Sequence, residues 1–307
     1  MKAGFVSFLG RPNAGKSTLL NRIVGQKLAI VSNKPQTTRT RVVGVKNYPP
    51  SPPGAATAGQ VPAQVVFVDT PGVHKPTHRM NVRMVDVALD AMRDVDVVTL
   101  VVDASATPGT GDRFMVQVLK DVQKPIILGL NKVDQVAKPK LLPLIDQYQK
   151  AYAFAEIVPL SARDGTNVDT LEGLLLKYLP EGEPLYPSEY LTDQSERFFV
   201  AEIVREQVLQ NTRDELPFST AVVVDRFEEA GDDGIMKLYC TILVDRESQK
   251  PIVVGKGGAM IKAIGTVARA ELQAHFETRV YLDLHVKVKS EWRDDDRLLD
   301  EIGLVRR

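Results

Sequence analysis

The stretch GRPNAGKST at residues 10–18 constrains this chain more than any other part of it. Gly10, Gly15, Lys16 and Ser17 fit G-x-x-x-x-G-K-[ST], after the apolar run AGFVSFL and before the helical pattern KSTLLNRIV. Glycines there let the backbone wrap close to phosphate oxygens with its N–H groups inward. The lysine neutralises the β- and γ-phosphates, and the serine hydroxyl ligates Mg²⁺. A strand ending at Leu9 and a helix beginning near Lys16 aim the positive end of that helix at the anion. The candidate phosphate cradle is therefore Gly10, Arg11, Pro12, Asn13, Ala14, Gly15, Lys16, Ser17 and Thr18.

A loop of this kind belongs in an α/β layer, and the chain reads that way to about residue 180. The β-rich runs AGFVSFL, QVVFVD, VDVVTLVVD, PIILGLN and EIVPLS alternate with amphipathic segments such as VDTLEGLLLKYL. Their near-continuous apolarity predicts a mostly parallel sheet with helices on both faces. Residues 48–62, YPPSPPGAATAGQVP, carry no charge and read as a flexible loop between strands. The proline-rich LPEGEPLYPSEYLTD reads as a linker. Beyond it the order is α-β-β-α-α-β, a smaller α+β domain. The expected division is 1–180, a linker at 181–195, and 196–307 with a C-terminal tail. A length of 307 residues accommodates two such cores.

Three later motifs lie at strand ends. Asp69, Thr70, Pro71 and Gly72 form D-x-x-G, a pattern expected about once per chain on composition alone, and DEIG at 300–303 also fits it. Only the strand VVFVD makes the first informative: Asp69 there can hold Mg²⁺ and the Gly72 amide can meet a γ-phosphate. Asn131, Lys132, Val133 and Asp134 form NKVD after PIILGL. The Asp134 carboxylate can accept from guanine N1–H and the N2 amine, a donor pair adenine lacks. Ser161, Ala162 and Arg163 follow another strand end and offer backbone N–H to guanine O6. The polar stretch SNKPQTTRTR, 32–41, is a candidate switch, with Thr37 and Thr38 both offering a metal-ligating hydroxyl beside Ser17 and Asp69.

A second glycine turn, GKGG, comprises Gly255, Lys256, Gly257 and Gly258. The similar GDDG at 231–234 would repel phosphate and reads as a hairpin. Lys256 and bare glycine backbone suit a clamp on single-stranded RNA. Residues 249–292 hold seven Lys/Arg against four Asp/Glu, although the whole chain balances 39 against 39. Lys262, Lys287 and Lys289 are candidate further phosphate contacts, each equally readable as part of a solvated face. The lone Cys240 lies in a strand-like run and reads as a small buried apolar residue. The four histidines offer no zinc spacing. The N-terminal run reads as a strand rather than a signal peptide, and no transmembrane segment is expected.

The set GRPNAGKST, QTTRTR, DTPGVH, NKVD, SAR, GKGG and VKVK resembles the TRAFAC-class GTPases, and among them the Era family, over nearly the whole chain. Ala14, where such loops more often carry valine, and the long 48–62 loop depart from the family pattern. The resemblance implies a P-loop GTPase domain followed by a type II KH domain, GTP or GDP as ligand, Mg²⁺, and the small ribosomal subunit with its 16S rRNA as partner. It also implies cytoplasmic action with peripheral association at the inner face of the cell membrane. It favours Thr38 over Thr37 as the metal ligand. The implied catalytic set is Lys16, Thr38, Gly72 and Asn13. Where other GTPases carry a water-orienting glutamine, this chain has Val73, so slow intrinsic turnover is expected. Asn13 resembles the asparagine of potassium-dependent GTPases, with K⁺ in place of an arginine finger; its other reading is a plain turn former. His74 reads as a switch or surface residue rather than a general base. Two rival functions are a GTPase acting in tRNA modification and an RNA-binding protein with a structural nucleotide site.

Overall fold

A computed structural model describes residues 1–34, 36–50, 61–72, 78–213 and 216–304. Contacts divide the chain into two units. One contains Met1–Ala29, Thr38–Lys75 and Met84–Asp193, and the other Ile30–Thr37, Pro76–Arg83 and Gln194–Arg307.

The first unit contains, in chain order, β1 (Lys2–Leu9), α1 (Lys16–Val24), β2 (Val42–Tyr48), β3 (Ala63–Asp69), α2 (Arg79–Arg93, whose first turns belong to the other unit), β4 (Val97–Asp103) and α3 (Thr110–Leu119). β5 (Ile126–Asn131), α4 (Leu141–Ala151), β6 (Glu156–Pro159) and α5 (Val168–Tyr178) complete it. The sheet order is β2-β3-β1-β4-β5-β6. β2 runs antiparallel to β3 and the other pairings are parallel. Every residue of β3 and β5 is buried, as strands covered on both faces require. On one side Leu19, Leu20 and Ile23 of α1 and Leu171 and Leu175 of α5 form one core. On the other, Ala88 and Met92 of α2, Met115 and Leu119 of α3 and Tyr148 of α4 form a second. Register places the strand ends level: Phe8 pairs with Asp69, and Asp103 with Asn131. Loops leaving that carboxyl edge are where an open α/β sheet binds ligands.

The segment read as a linker has no regular structure but is fastened to this unit. Leu185 and Tyr186 donate their N–H groups to Gln64 Oε1 at 2.7 and 2.9 Å. Tyr186 stacks on Tyr190 at 4.6 Å, and both cover Val43, Val45, Val66 and Val68. Tyrosine supplies the apolar area and prolines keep the chain extended. Of the 48–62 loop, residues 51–60 lie outside the described set.

In the second unit come α6 (Glu196–Asn211), β7 (Thr220–Glu228), β8 (Ile235–Val244), α7 (Lys250–Val254), α8 (Ala259–Phe276), β9 (Arg279–Val288) and α9 (Asp296–Glu301). β7 and β8 are antiparallel, β8 and β9 parallel. Alternate strand residues pack on α6 and α8 to form one core. Helix α6 is buried nearly all round, including Arg205, Glu206 and Gln207. Its polar side holds the Ile30–Thr37 segment: Glu206 Oε1 accepts from Val31 N at 2.7 Å, and Arg205 Nη2 donates to Thr37 O. The expected C-terminal tail is instead packed structure. Trp292 is fully buried with Nε1–H on Ser219 O at 2.9 Å, and Leu298, Leu299 and Leu304 are buried after it. Glu247–Phe276 has the length and hydropathy of a membrane span, but Gly257 at φ 59 breaks it, and Ile264, Ala268 and Leu272 enter the core.

Candidate functional site

The first glycine loop needs its glycines. Gly10 adopts φ 153, and a Cβ on it would lie 2.2 Å from Val101 O. At Gly15, φ is 95 and a Cβ would lie 2.2 Å from Asn131 Nδ2. Asn13, at φ 63, takes the left-handed conformation that asparagine tolerates best among side-chain-bearing residues. Inside the loop, Lys16 is buried and its Nζ donates to Gly10 O and Arg11 O, each at 3.1 Å. Burial lowers its pKa, against the opposing pull of Asp69.

Next to Lys16 three oxygens converge. Ser17 Oγ donates to Asp69 Oδ2 at 2.6 Å and lies 2.8 Å from Thr38 Oγ1, which is 3.4 Å from the same carboxylate oxygen. Asp69 is fully buried, and its Oδ1 has no hydrogen-bond partner. Burial raises its pKa, with Lys16, Ser17 and Thr38 pulling the other way. Thr37 is turned elsewhere: its hydroxyl donates to Lys34 O at 2.6 Å and pairs with Ser32 Oγ at 2.7 Å. The set of hydroxyls and one carboxylate suits a hard cation. Thr70 Oγ1 ties the D-x-x-G turn to Phe8 O at 2.8 Å. Gly72 rests on the phosphate loop so closely that a Cβ would meet Pro12 N at 2.5 Å. Val73 and His74 lie outside the described residues. The other D-x-x-G match, at 300–303, falls in and after α9 rather than at a strand end.

Further along the same edge, Asp134 Oδ1 accepts from Ser161 Oγ at 2.8 Å, and Arg163 reaches Oδ2 at 2.7 Å. Asn131 ties the loops together: its Nδ2 donates to Ala14 O at 2.8 Å and its Oδ1 accepts from Ala162 N at 2.9 Å. Lys132, at φ 66, starts a short turn through Val133, and its Nζ reaches Asp103 Oδ2 at 2.5 Å. Burial pushes the Asp103 carboxyl up, but Lys132 and Ser105 outweigh it and hold its pKa low. Sequence reasoning missed Asp103, although it ends a strand beside Asn131. It also missed Arg22, which donates through Nε to Ala162 O at 3.2 Å and through Nη2 to Arg163 O. Neither carries a motif; both matter only once the strand ends are aligned.

In the second unit the GKGG turn joins α7 to α8. Gly255, Gly257 and Gly258 have φ 76, 59 and 80. Gly255 packs against Met260, where a Cβ would meet the backbone N at 2.7 Å, whereas a Cβ on Gly257 or Gly258 would meet nothing within 4 Å. Lys256 and Lys262 are exposed at the turn and on the first turns of α8. The other two lysines are not with them. Lys287 alternates with the core-facing Val286 and Val288, so it projects from the sheet face away from α8. Lys289 pairs with Asp295 at 2.7 Å. The GDDG turn joins β7 to β8, with Gly234 at φ 63. Cys240 is fully buried and its thiol is pushed up to about 12, chiefly by burial, which removes it as a nucleophile.

The family described as 50S ribosome-binding GTPase matches residues 5–132, and the KH domain family matches 215–293. The GTPase Era of Geobacter metallireducens is 47% identical over 302 residues, covering 98% of this chain and 97% of the relative. That of Heliobacterium modesticaldum is 44% identical over 303 residues, 99% and 97%. Among solved structures, a tyrosine-to-alanine variant of Aquifex aeolicus Era bound to GDP·AlF4⁻ superposes with a TM-score of 0.92 at 40% identity, covering 100% of both chains. Era in complex with MgGDPNP and nucleotides 1506–1542 of 16S ribosomal RNA superposes with a TM-score of 0.91 at 40% identity, again over 100% of both. With motifs, fold and near-full-length identity in agreement, the chain belongs to the Era family of GTPases.

Proposed function

We propose that this GTPase is a nucleotide-controlled binder of the 3′ region of 16S rRNA, acting in the cytoplasm on the assembling small ribosomal subunit. The observation that carries the nucleotide half is the Ser17–Thr38–Asp69 oxygen cluster beside Lys16, on the same sheet edge as Asp134 and Ser161. The orphaned, buried Asp69 Oδ1 fits a resident Mg²⁺, held by Ser17, Thr38 and Asp69. A Mg²⁺ ion held there would supply charge neutralisation to the phosphate oxygens. Lys16 releases its loop carbonyls to meet the β- and γ-phosphates, and the Gly72 amide senses the γ-phosphate. Asp134 reads the guanine edge, steadied by Ser161. Asn13 helps seat K⁺ beside the phosphates, which offsets the lack of a water-orienting glutamine. The functional division is 1–180 for nucleotide, 181–195 as connection and 196–307 for RNA. Peripheral association with the inner face of the membrane belongs to the same reading.

The RNA half rests on GKGG, where Lys256, Lys262 and bare glycine backbone lie open. The solved relative bound to nucleotides 1506–1542 of 16S ribosomal RNA supports that choice of target. The test is binding of a single-stranded oligomer from the 3′ end of 16S rRNA to the full chain, loaded with a non-hydrolysable GTP analogue or with GDP. Tighter binding in the GTP-analogue form, and over a scrambled oligomer, is expected. Equal affinity in both nucleotide states would reduce the nucleotide site to a structural one.

A further inference from the structure

The phosphate loop is held from behind by a pair that no motif predicts. Arg11 Nη1 donates to Asp112 Oδ2 at 2.8 Å, and the same oxygen accepts from Gly109 N at 2.8 Å, at the start of α3. Asp112 is buried whereas the Arg11 side chain is 44% exposed. The arginine lies flat across α3, since a Cβ on Gly111 would come within 3.0 Å of its Nε. Its backbone carbonyl meanwhile accepts from Lys16 Nζ. Its neighbour Pro12 is the surface against which Gly72 packs. Behind the loop is a cavity of about 80 Å³ lined by Arg11, Pro12, Val101, Asp112 and Tyr148, so packing alone does not immobilise this segment. The Tyr148 hydroxyl there is buried with no hydrogen-bond partner.

We infer that Arg11 and Asp112 are a positioning pair for GTP hydrolysis: by fastening the loop to α3 they set where Lys16 and the Pro12 support of Gly72 stand when the γ-phosphate is engaged. Half-exposed ion pairs add little to stability, so the pair's effect is on geometry. Small misplacements of reacting groups are costly in rate. GDP meets Lys16 through its β-phosphate but makes no use of the Gly72 contact, so the effect special to the γ-phosphate is the fall in rate beyond any fall in GDP affinity. The inference rests on residues 10–18 being the phosphate loop.

Single-turnover GTP hydrolysis and GDP affinity are to be measured for Arg11→Ala, Asp112→Asn, the double variant, Arg11→Lys and Lys16→Ala. Each single change is expected to lower the hydrolysis rate about tenfold, with a clearly smaller loss of GDP affinity. The double variant should be no slower than either single one, because both remove the same link. Arg11→Lys should recover most of the rate. A wild-type rate in Arg11→Ala, additive losses in the double variant, or GDP affinity falling in step with the rate would overturn the inference. Unchanged nucleotide binding in Lys16→Ala would instead overturn the phosphate-loop assignment beneath it.

Discussion

Asp134 is held by the Ser161 hydroxyl at 2.8 Å and approached by Arg163, and the proposal that it reads the guanine edge has a direct test. Asp134→Asn turns an acceptor toward guanine N1–H into a donor, leaving buried polar groups mismatched at a cost of about 3 kcal/mol, roughly a hundredfold in affinity. GTP affinity should fall by that factor while XTP, with an oxygen at C2, gains; unchanged GTP binding would remove Asp134 from the base site. At Asn13 the backbone φ of 63 bears on how a test is made. Alanine there would be strained, so Asn13→Gly is the cleaner removal of the side chain. Wild type should hydrolyse GTP faster in K⁺ than in Na⁺ at equal ionic strength, and Asn13→Gly should lose that difference; equal rates in both salts for wild type leave Asn13 a turn residue. Asp69 gives a pH dependence of known sign. Burial raises its pKa above the ordinary 3.8, so the folded protein favours its neutral form more than the unfolded chain does. That contribution to stability is fully present below 3.8 and is lost as pH rises through the raised value. Mg²⁺ requires the carboxylate, so Mg²⁺-dependent nucleotide affinity should run the other way and weaken as pH falls through the same window. Titrating Mg²⁺ at several pH values checks this, with Asp69→Asn expected to lack the slope.

At the level of elements, the GKGG turn shows two kinds of glycine. Gly255 is there for space as well as angle, being pressed against Met260 in left-handed φ, whereas Gly257 and Gly258 face open space with positive φ. Replacing Lys256 and Gly257 by aspartates removes one positive charge, adds two negative ones and closes the backbone to approach. RNA affinity should fall steeply and its salt dependence flatten, since at least one phosphate contact is lost. Gly257 at φ 59 will be strained by any side chain, so the melting temperature and circular dichroism must be measured beside binding. A folded double variant with wild-type RNA affinity across a salt titration would sink the clamp. Lys287 and Lys289 provide the comparison: they sit on another face or in an ion pair. Their substitution should change affinity far less than that of Lys256.

For the molecule as a whole, the segment from Trp292 through α9 matters more to the second unit than a tail would. Trp292 combines complete burial with a hydrogen bond to Ser219 O. Trp292→Ala should therefore destabilise that unit by about 3–5 kcal/mol, seen as a lowered unfolding midpoint and weaker RNA binding, with GTP affinity retained because the nucleotide site lies in the other unit. A midpoint unchanged by the substitution would mean that the segment contributes nothing to this core.

How much of this was legible beforehand follows from the range of the forces involved. The strand–turn–helix around Gly10–Ser17, the α-β-β-α-α-β order of the second block and the strand runs of the first are local patterns of hydrophobic period and turn chemistry. A single chain displays them directly. The motifs at Asp69, Asp134 and Ser161 were readable because each sits at the end of such a run. What depends on residues far apart in sequence was not. Only the aligned strand ends bring Asp103 to Lys132 and Asn131 to Ala14. Only tertiary packing turns Thr38 toward Ser17 and Thr37 away, although the two are neighbours of identical chemistry. The strand pleat sends Lys287 to the sheet face away from α8, and burial makes the acidic stretch from Trp292 to Leu304 the support of a core. Periodicity determines which faces of an element are apolar; which partner covers each face is decided by the whole chain's contacts, and those no short stretch contains.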